Sequence, residues 1–271
     1  MTLSLKYKGK TSVPVEVEGL TPTAIREQTL AQIEKFQIYH GNQRLPLAEM
    51  FDVSGDPQSL RLEFEGDLSG VHWIGAGMSE GEIHVSGNAG RHIGSEMTRG
   101  EIHVHGDASD WVGGEMHGGL IHVRGRAGHL IGAAYRGSRR GMTGGTILIG
   151  GDVGNEVGHT MRRGLLAVGG SSGDCPGFNM IAGNIFIFGT CGIRAGAGMR
   201  RGTIGLFGTE RPKMLPTFRR ASRFRPPFLP LTFNELRREG FKFDESLLSC
   251  DYDLYSGDLV ASGRGEILMR A

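Results

Sequence analysis

The sequence predicts an all-β protein, a right-handed parallel β-helix of about seven coils with nineteen residues in each coil. Three observations predict this fold. A unit of the form G-x-x-M-x-x-G-x-I-x-V-x-G recurs along the chain, as in GAGMSEGEIHVSG and GSEMTRGEIHVHG. The repeated methionines are nineteen residues apart, except for one interval of twenty-six. Glycine supplies 46 of the 271 residues, well above the roughly 7% that is typical of proteins.

The repeat unit itself indicates a short strand followed by turns. The G-x-I-x-V-x-G part alternates apolar residues with others, which is typical of a strand with one buried face. Stacked coils place equivalent residues above one another, so Ile83, Val85 and Ile74 each begin an inward ladder. The repeat methionines belong to the interior as flexible gap-filling side chains. Recurrent glycines such as Gly81 mark the corners, where glycine adopts positive φ freely.

A left-handed β-helix is the rival solenoid, and its repeat places an aliphatic residue at every sixth position. Here the inward positions of one coil are 83, 85, 93, 97 and 102. The intervals between these positions do not follow a period of six. The sequence therefore favours the right-handed form.

The exposed strand edges at both ends of a β-helix need capping. Residues 1–60 predict a small N-terminal α+β cap, with a helix starting after Thr21 and a hairpin turn at Gly41-Asn42. The Gly/Met repeats occupy residues 61–209. Residues 210–271 are rich in proline and aromatic residues at their start, which predicts an extended strap lying across the β-helix.

Composition excludes several classes of function. The 30 basic and 29 acidic residues give a net charge of +1, which argues against nucleic acid as a partner. No apolar run is long enough for a membrane helix, and the N-terminus lacks the features of a signal peptide. Three cysteines without metal-ligand spacing fit a reduced compartment. We therefore expect a cytoplasmic protein without a membrane partner.

An outward column of histidines is the first candidate site. His84, His103 and His122 lie between the inward positions of three successive coils. A metal site is one interpretation, but stacked ligands on adjacent flat strands give poor tetrahedral geometry. We therefore expect no metal ion in this chain and assign the histidines to a partner interface.

Phenylalanines continue the same outward face on later coils. Phe186 falls in the histidine column, while Phe188 and Phe207 fall in the neighbouring outward column. Such a face is too apolar for water, so either the C-terminal strap or a partner protein must cover it. We include these phenylalanines among the candidate partner contacts.

The interval of twenty-six residues contains an insertion that leaves the stack. It reads GAAYRGSRRGM from Gly132 to Met142 and carries Arg136, Arg139 and Arg140. Arginines on such a loop predict an anion-binding or partner-binding site. A solvated or interface loop without a ligand is the alternative. More arginines follow after the last coil, at positions 211, 219, 220, 223 and 225.

No catalytic residues are predicted. The sequence contains no HExxH, no P-loop and no Ser-His-Asp arrangement. Glu82 and Glu101 stack on adjacent coils, and a stand-alone β-helix hydrolase would use such outward acids. Their column continues with Leu120, Thr146 and Leu165, so two stacked carboxylates are weak support for an enzyme.

The glycine–methionine repeat, the RGSRRGM interruption and the LPTF run after the last coil together resemble the C subunit of formylmethanofuran dehydrogenase. The resemblance covers essentially the whole chain, including VPVEVEGLTP near the N-terminus. The repeat alone is also similar to the C-terminal β-helix domain of the glutamate synthase large subunit. The high share of arginine over lysine favours the bacterial form of the family, the formyltransferase/hydrolase complex.

This resemblance implies a non-catalytic scaffold subunit in one-carbon metabolism. The implied complex moves formyl from formyl-tetrahydromethanopterin to a methanofuran-type carrier and hydrolyses the product to formate, a step of formaldehyde oxidation. Implied partners are an amidohydrolase-like subunit that holds the metal, a formyltransferase subunit and one further subunit. Arg136, Arg139 and Arg140 would then contact the anionic carrier. The equivalent subunit of a molybdenum or tungsten formylmethanofuran dehydrogenase is the alternative.

Overall fold

The computed structural model describes residues 2–9 and 11–271 as a predominantly β structure. The described strands form one sheet of 13 strands and a second sheet of 4 strands. In chain order, the strands are β1 (Leu3–Tyr7), β2 (Val15–Glu16), β3 (Gln37–His40), β4 (Gln43–Pro46), β5 (Phe51–Ser54), β6 (Arg61–Glu65), β7 (Val71–His72), β8 (Glu82–Val85), β9 (Glu101–Val104), β10 (Leu120–Val123), β11 (Thr146–Ile149), β12 (Leu165–Val168), β13 (Asn184–Ile187), β14 (Arg201–Leu206), β15 (Arg219–Phe224), β16 (Tyr252–Gly257) and β17 (Arg264–Arg270). The helices are α1 (Pro22–Ile25), α2 (Leu30–Ile33) and α3 (Phe228–Arg238), with 3₁₀ turns at Leu47–Glu49, Pro57–Ser59 and Glu245–Leu248.

The centre of the larger sheet is a stack of parallel strands from successive coils. Strands β8 to β14 pair in sequence, each with the equivalent residue of the next coil opposite. Ile83 therefore lies beside Ile102, and Val85 beside Val104. The inward isoleucine and valine ladders and the methionine ladder are fully buried. The parallel β-helix and its nineteen-residue register are confirmed.

Backbone hydrogen bonds connect the coils at their corners as well as in their strands. The N–H of Leu120 donates to the carbonyl of Gly100 at 3.0 Å, and that of Thr146 to Gly119 at 2.9 Å. Gly119 holds φ at +90°, and a Cβ there would lie 2.6 Å from the Gly100 oxygen. The corner therefore requires glycine for its conformation and for the close approach of the preceding coil.

Polar side chains on the outside connect turns of adjacent coils. The side chain of Asn88 accepts the N–H of Asp107 at 2.9 Å, and Asp107 accepts the N–H of Arg126 at 2.8 Å. Asp152 accepts the N–H of Ser171 at 2.7 Å. In each case the N–H group that these side chains accept belongs to the next coil.

The N-terminal cap closes the first end of the larger sheet. β1 pairs in parallel with β6 and antiparallel with β5, and β6 pairs in parallel with β8. Thr21 caps α1, and β3 and β4 form an antiparallel hairpin around Gly41 and Asn42, as the sequence predicted.

The C-terminal segment differs from the predicted extended strap. β17 pairs in parallel with β14 and continues the inward ladder, with Ile204 beside Ile267. β16 and β15 then add antiparallel strands, and β15 forms an exposed edge. The α3 helix, which begins after Pro227, buries Leu229, Phe233 and Leu236. Proline at a helix start is compatible with its fixed φ, so the proline-rich run precedes a helix rather than an extended segment.

None of the helices among the described residues is long and apolar enough to cross a membrane.

We predict that Gly119→Ala lowers the free energy of unfolding by about 3 kcal/mol, because the methyl group combines a positive φ with overpacking. Gly137→Ala is the matched control, since Gly137 also has a φ of +90° but a Cβ there meets no atom within 4 Å. That control should lose only about 1 kcal/mol. Urea unfolding measures both variants, and equal losses would show that corner packing contributes nothing.

Candidate functional site

The apolar outward face is covered by the chain's own C-terminal segment. Phe207 lies 5.4 Å from Phe233 of α3 and 5.6 Å from Tyr252 of β16, measured between ring centroids. Phe188 packs against Phe241 and Phe243 at 5.5 and 5.9 Å. These rings form a second hydrophobic core outside the coils.

This cover corrects the assignment of the phenylalanines as partner contacts. Phe186 and Phe207 are buried, and Phe188 is half-buried against the same cluster. The sequence allowed either the C-terminal segment or a partner protein to cover this face. In the structure, the C-terminal segment covers it. Gly205 makes it possible, because any Cβ there would lie 2.2 Å from the ring of Phe207.

The three histidines of the outward column differ in their ring spacing and in their contacts. The ring of His84 lies 4.9 Å from that of His103, and the ring of His103 lies 6.4 Å from that of His122. His103 hydrogen-bonds Glu101 at 3.1 Å, and His84 contacts Glu82 at 3.4 Å. Within residues 2–9 and 11–271, no group of three or more His, Cys, Asp or Glu side chains is arranged to hold a metal ion.

His122 is 2% exposed and lines a cavity together with Gly240, Phe241 and Lys242 of the C-terminal segment. Its Nδ1 atom is buried and has no hydrogen-bond partner among the described residues. Burial, with a smaller contribution from the charge of the nearby Arg124, lowers the pKa of His122 to about 4. His122 is therefore neutral at physiological pH, and of this column only His84 and His103 remain accessible to a partner.

Tyr135 anchors the insertion loop to the outside of the stack. Its ring stacks on Trp111 at 4.9 Å, and its hydroxyl donates to Ser95 at 2.7 Å. The N–H of Tyr135 donates to Glu115 at 2.8 Å. Burial raises the pKa of Tyr135 to about 12, so the hydroxyl remains a donor. These contacts hold in place the start of the loop that carries Arg136, Arg139 and Arg140.

Arg139 and Arg140 extend from this anchor into a groove of about 1110 Å³. Arg162, Arg200 and Arg201 line the same groove, which also contains Asp258. We call this feature the arginine groove. Arg136 is exposed but does not line it. The structure therefore brings together two of the three arginines that the sequence selected.

Sequence reasoning missed Arg162, Arg200 and Arg201. A signal was present, because the repeats GHTMRRG and GAGMRRG place Arg162 and Arg200 directly after the methionine. Aligning the outward columns on either side of the methionine would have placed these two arginines on one corner. Asp258 could not be found this way, since it lies outside the repeats.

Three arginines of the tail have a structural role. Arg211, Arg220 and Arg223 contact the carboxylate of Asp253 at 2.8–2.9 Å. The Asp253 side chain is 1% exposed. Hydrogen bonds from Arg223 and Arg220 hold the pKa of Asp253 well below its usual range. These arginines therefore hold β15 and the segment before it onto β16.

The coil geometry and its glycine corners define a parallel β-helix built from glycine–methionine repeats, with an arginine groove on one corner. The chain belongs to the GXGXG motif family, whose model matches residues 65–214, more than half of the sequence.

Curated relatives match a shorter segment. The C subunit of molybdenum-containing formylmethanofuran dehydrogenase 1 from Methanothermobacter thermautotrophicus is 39% identical over 91 residues, which is 33% of this chain and 23% of that protein. The C subunit of tungsten-containing formylmethanofuran dehydrogenase 2 from Methanococcus maripaludis is 37% identical over 92 residues, 34% of either chain. The matched segment thus spans about a third or less of each relative's length.

A solved structure matches this chain over nearly its whole length. A chain of the formyltransferase/hydrolase complex (FhcABCD) from Methylorubrum extorquens, crystallised in complex with methylofuran, superposes with a TM-score of 0.90. The sequence identity is 32%, and the match covers 99% of both chains. The caps at both ends therefore have counterparts in that structure, as do the coils.

We predict that His122→Leu stabilises the protein by about 1 kcal/mol at neutral pH, because the column continues with Leu148 and the unpaired nitrogen is removed. In the unfolded state, His122 binds a proton below about pH 6.5. In the folded wild-type protein, it binds a proton only near pH 4. Wild-type stability should therefore fall as the pH decreases through this window.

The slope of stability against pH should be smaller in His122→Leu than in the wild type. His92 should account for part of the remaining slope, because burial lowers its pKa to about 4 as well. The exposed His117→Leu is the control for replacing a histidine of the coils by leucine. Urea unfolding between pH 4 and 7 measures the slope for both variants. An unchanged slope in His122→Leu would contradict the assignment.

Proposed function

We propose that this chain is a non-catalytic scaffold subunit of a heteromeric formyltransferase/hydrolase complex. The observation that carries the proposal is the match over 99% of both chains to a component of FhcABCD. The complex would move formyl from formyl-tetrahydromethanopterin to a methanofuran-type carrier and release formate. Its metal would be held by an amidohydrolase-like subunit, alongside a formyltransferase subunit and one further subunit.

The chemistry of the chain supports a scaffold role. Outward acids such as Glu82 and Glu101 pair with neighbouring histidines. The accessible part of the column is formed by His84 and His103 with these glutamates, and we assign this surface to a partner protein. Three free cysteines fit a cytoplasmic location, which we also propose.

The equivalent subunit of a formylmethanofuran dehydrogenase is the second candidate. The names of the curated relatives favour it, although they match only about a third of the chain. The partners distinguish the two complexes, because iron–sulfur cysteine motifs in the other subunits would identify the dehydrogenase.

We predict that the chain copurifies with three other subunits in fixed stoichiometry, as measured by native mass spectrometry. The purified chain alone should show no formyl transfer or hydrolysis. In complexes that assemble, Glu82→Gln and Glu101→Gln should leave turnover per complex unchanged, because we assign these acids to the partner surface and not to catalysis. Turnover by the single chain, lost in these variants, would instead support a stand-alone β-helix enzyme.

We also propose that Arg139 and Arg140 contact the anionic carrier, with Arg136 outside the contact because it does not line the groove. Reversing both charges in the assembled complex should raise KM for the carrier by about tenfold, with little change in kcat. The salt dependence of kcat/KM should also decrease. Arg136→Glu is the matched control, and an equal effect of that variant would exclude the groove as the contact.

A further inference from the structure

A small cavity lies beside His122, between the coils and the C-terminal segment. Its volume is about 250 Å³, and it is lined by His122, Arg124, Gly150, Gly240, Phe241 and Lys242. We call it the His122 cavity. Sites for drug-sized ligands usually enclose about 300–1,000 Å³. The volume of the His122 cavity therefore suits a smaller ligand.

His122 has no hydrogen-bond partner for a buried nitrogen. The residue is 2% exposed, and its Nδ1 atom is buried and unpaired among the described residues. Leaving an acceptor unpaired costs less than leaving a donor unpaired, so we assign the proton to Nε2. Leucine at this position would avoid the cost altogether, since Leu148 lies beside His122 on the next coil. The buried histidine therefore indicates a ligand that accepts a hydrogen bond from Nε2–H.

The charge around the cavity is positive. Arg124 and Lys242 are both exposed, and neither forms a salt bridge within residues 2–9 and 11–271. The described lining residues include no acid. Besides burial, the charges of Arg124, His103 and His105 lower the pKa of His122. An anion in the cavity would balance this charge.

Arg124 also contacts the end of α3. Gly240 follows the helix with a φ of +70°, and a Cβ there would lie 3.6 Å from Nη1 of Arg124. A cation near a helix C-terminus is favourable, because the last carbonyl groups carry partial negative charge. This contact positions the guanidinium group without neutralising it. It also leaves the unpaired nitrogen of His122 unexplained.

We propose that the His122 cavity binds a small monocarboxylate, an anion of the size of formate or acetate. The planar guanidinium group of Arg124 binds both carboxylate oxygens through parallel hydrogen bonds. Lys242 adds a second positive charge, and His122 donates from Nε2. Phe241, which is 4% exposed, supplies an apolar wall for the carbon atoms of the ligand. A phosphate has no carbon group to place against that wall.

This site is separate from the arginine groove, since the two share no lining residue. Binding of a small carboxylate goes beyond the proposed function. Only the choice of formate as the physiological ligand rests on that function, because the proposed complex releases formate. A measurement on the full-length chain therefore tests the site whether or not the chain assembles with other subunits.

The test follows the imidazole resonances of His122 by NMR in the full-length chain, with His122→Leu identifying the signal. Formate and acetate should shift the signal saturably. They should also raise the pKa of His122 from about 4 to about 5, which corresponds to roughly tenfold tighter binding to the protonated form. Chloride and phosphate at equal ionic strength are the comparison anions. No shift with either carboxylate, or an equal shift with chloride or phosphate, would overturn the proposal.

Substitutions at Arg124 locate the site. Arg124→Ala should weaken formate binding by about tenfold or more. Arg126→Ala is the matched control, because Arg126 is exposed, donates to Asp107 and does not line the His122 cavity. Arg124→Lys guards against misfolding, since it retains the charge without the planar donors and should bind with intermediate affinity. An equal loss in Arg126→Ala would mean general electrostatic attraction and would exclude the site.

The assembled complex distinguishes a free carboxylate from the side chain of another protein. Formate should slow hydrogen exchange of residues 239–242 in the complex as well as in the single chain. Slower exchange of this segment on assembly alone, with no further effect of formate, would show that another protein fills the cavity. That result would overturn the proposal.

Discussion

In-register stacking of equivalent residues is the interaction on which the rest of this structure depends. Every coil hydrogen-bonds the next through its strand and again through its corner, as between Leu120 and Gly100. The register places Ile on Ile, Val on Val and Met on Met in a continuous interior. A shift of one residue would exchange inward and outward side chains along a whole strand. The outward columns are thus fixed as firmly as the core.

Stacking also creates the need for the two caps, because parallel strands leave an unpaired edge at each end. At the N-terminus β6 and β1 continue the sheet before β5 turns it antiparallel. At the C-terminus β17 extends the ladder once more and β16 and β15 reverse it. The exposed final edge carries arginines, a usual protection against pairing with another chain.

Outward columns acquire different roles according to what lies over them. The same C-terminal segment buries Phe186, leaves His103 accessible and lowers the pKa of His122. The arginines differ in the same way. Three of them contact the carboxylate of Asp253, while those of the arginine groove form no salt bridge with an acid among the described residues. This division indicates which positive charges stabilise the fold and which remain available to a ligand.

The sequence alone determined the coil period, the inward ladders and the corner glycines, because these follow from residues a fixed nineteen positions apart. It also selected Arg139 and Arg140, which interrupt the repeat. Only the tertiary structure decided that residues 210–271 form a helix and antiparallel strands over the phenylalanine face. It also decided that Arg211 reaches Asp253, a contact between residues 42 positions apart. Such contacts depend on how a non-repeating segment folds back, and no period in the sequence encodes that path.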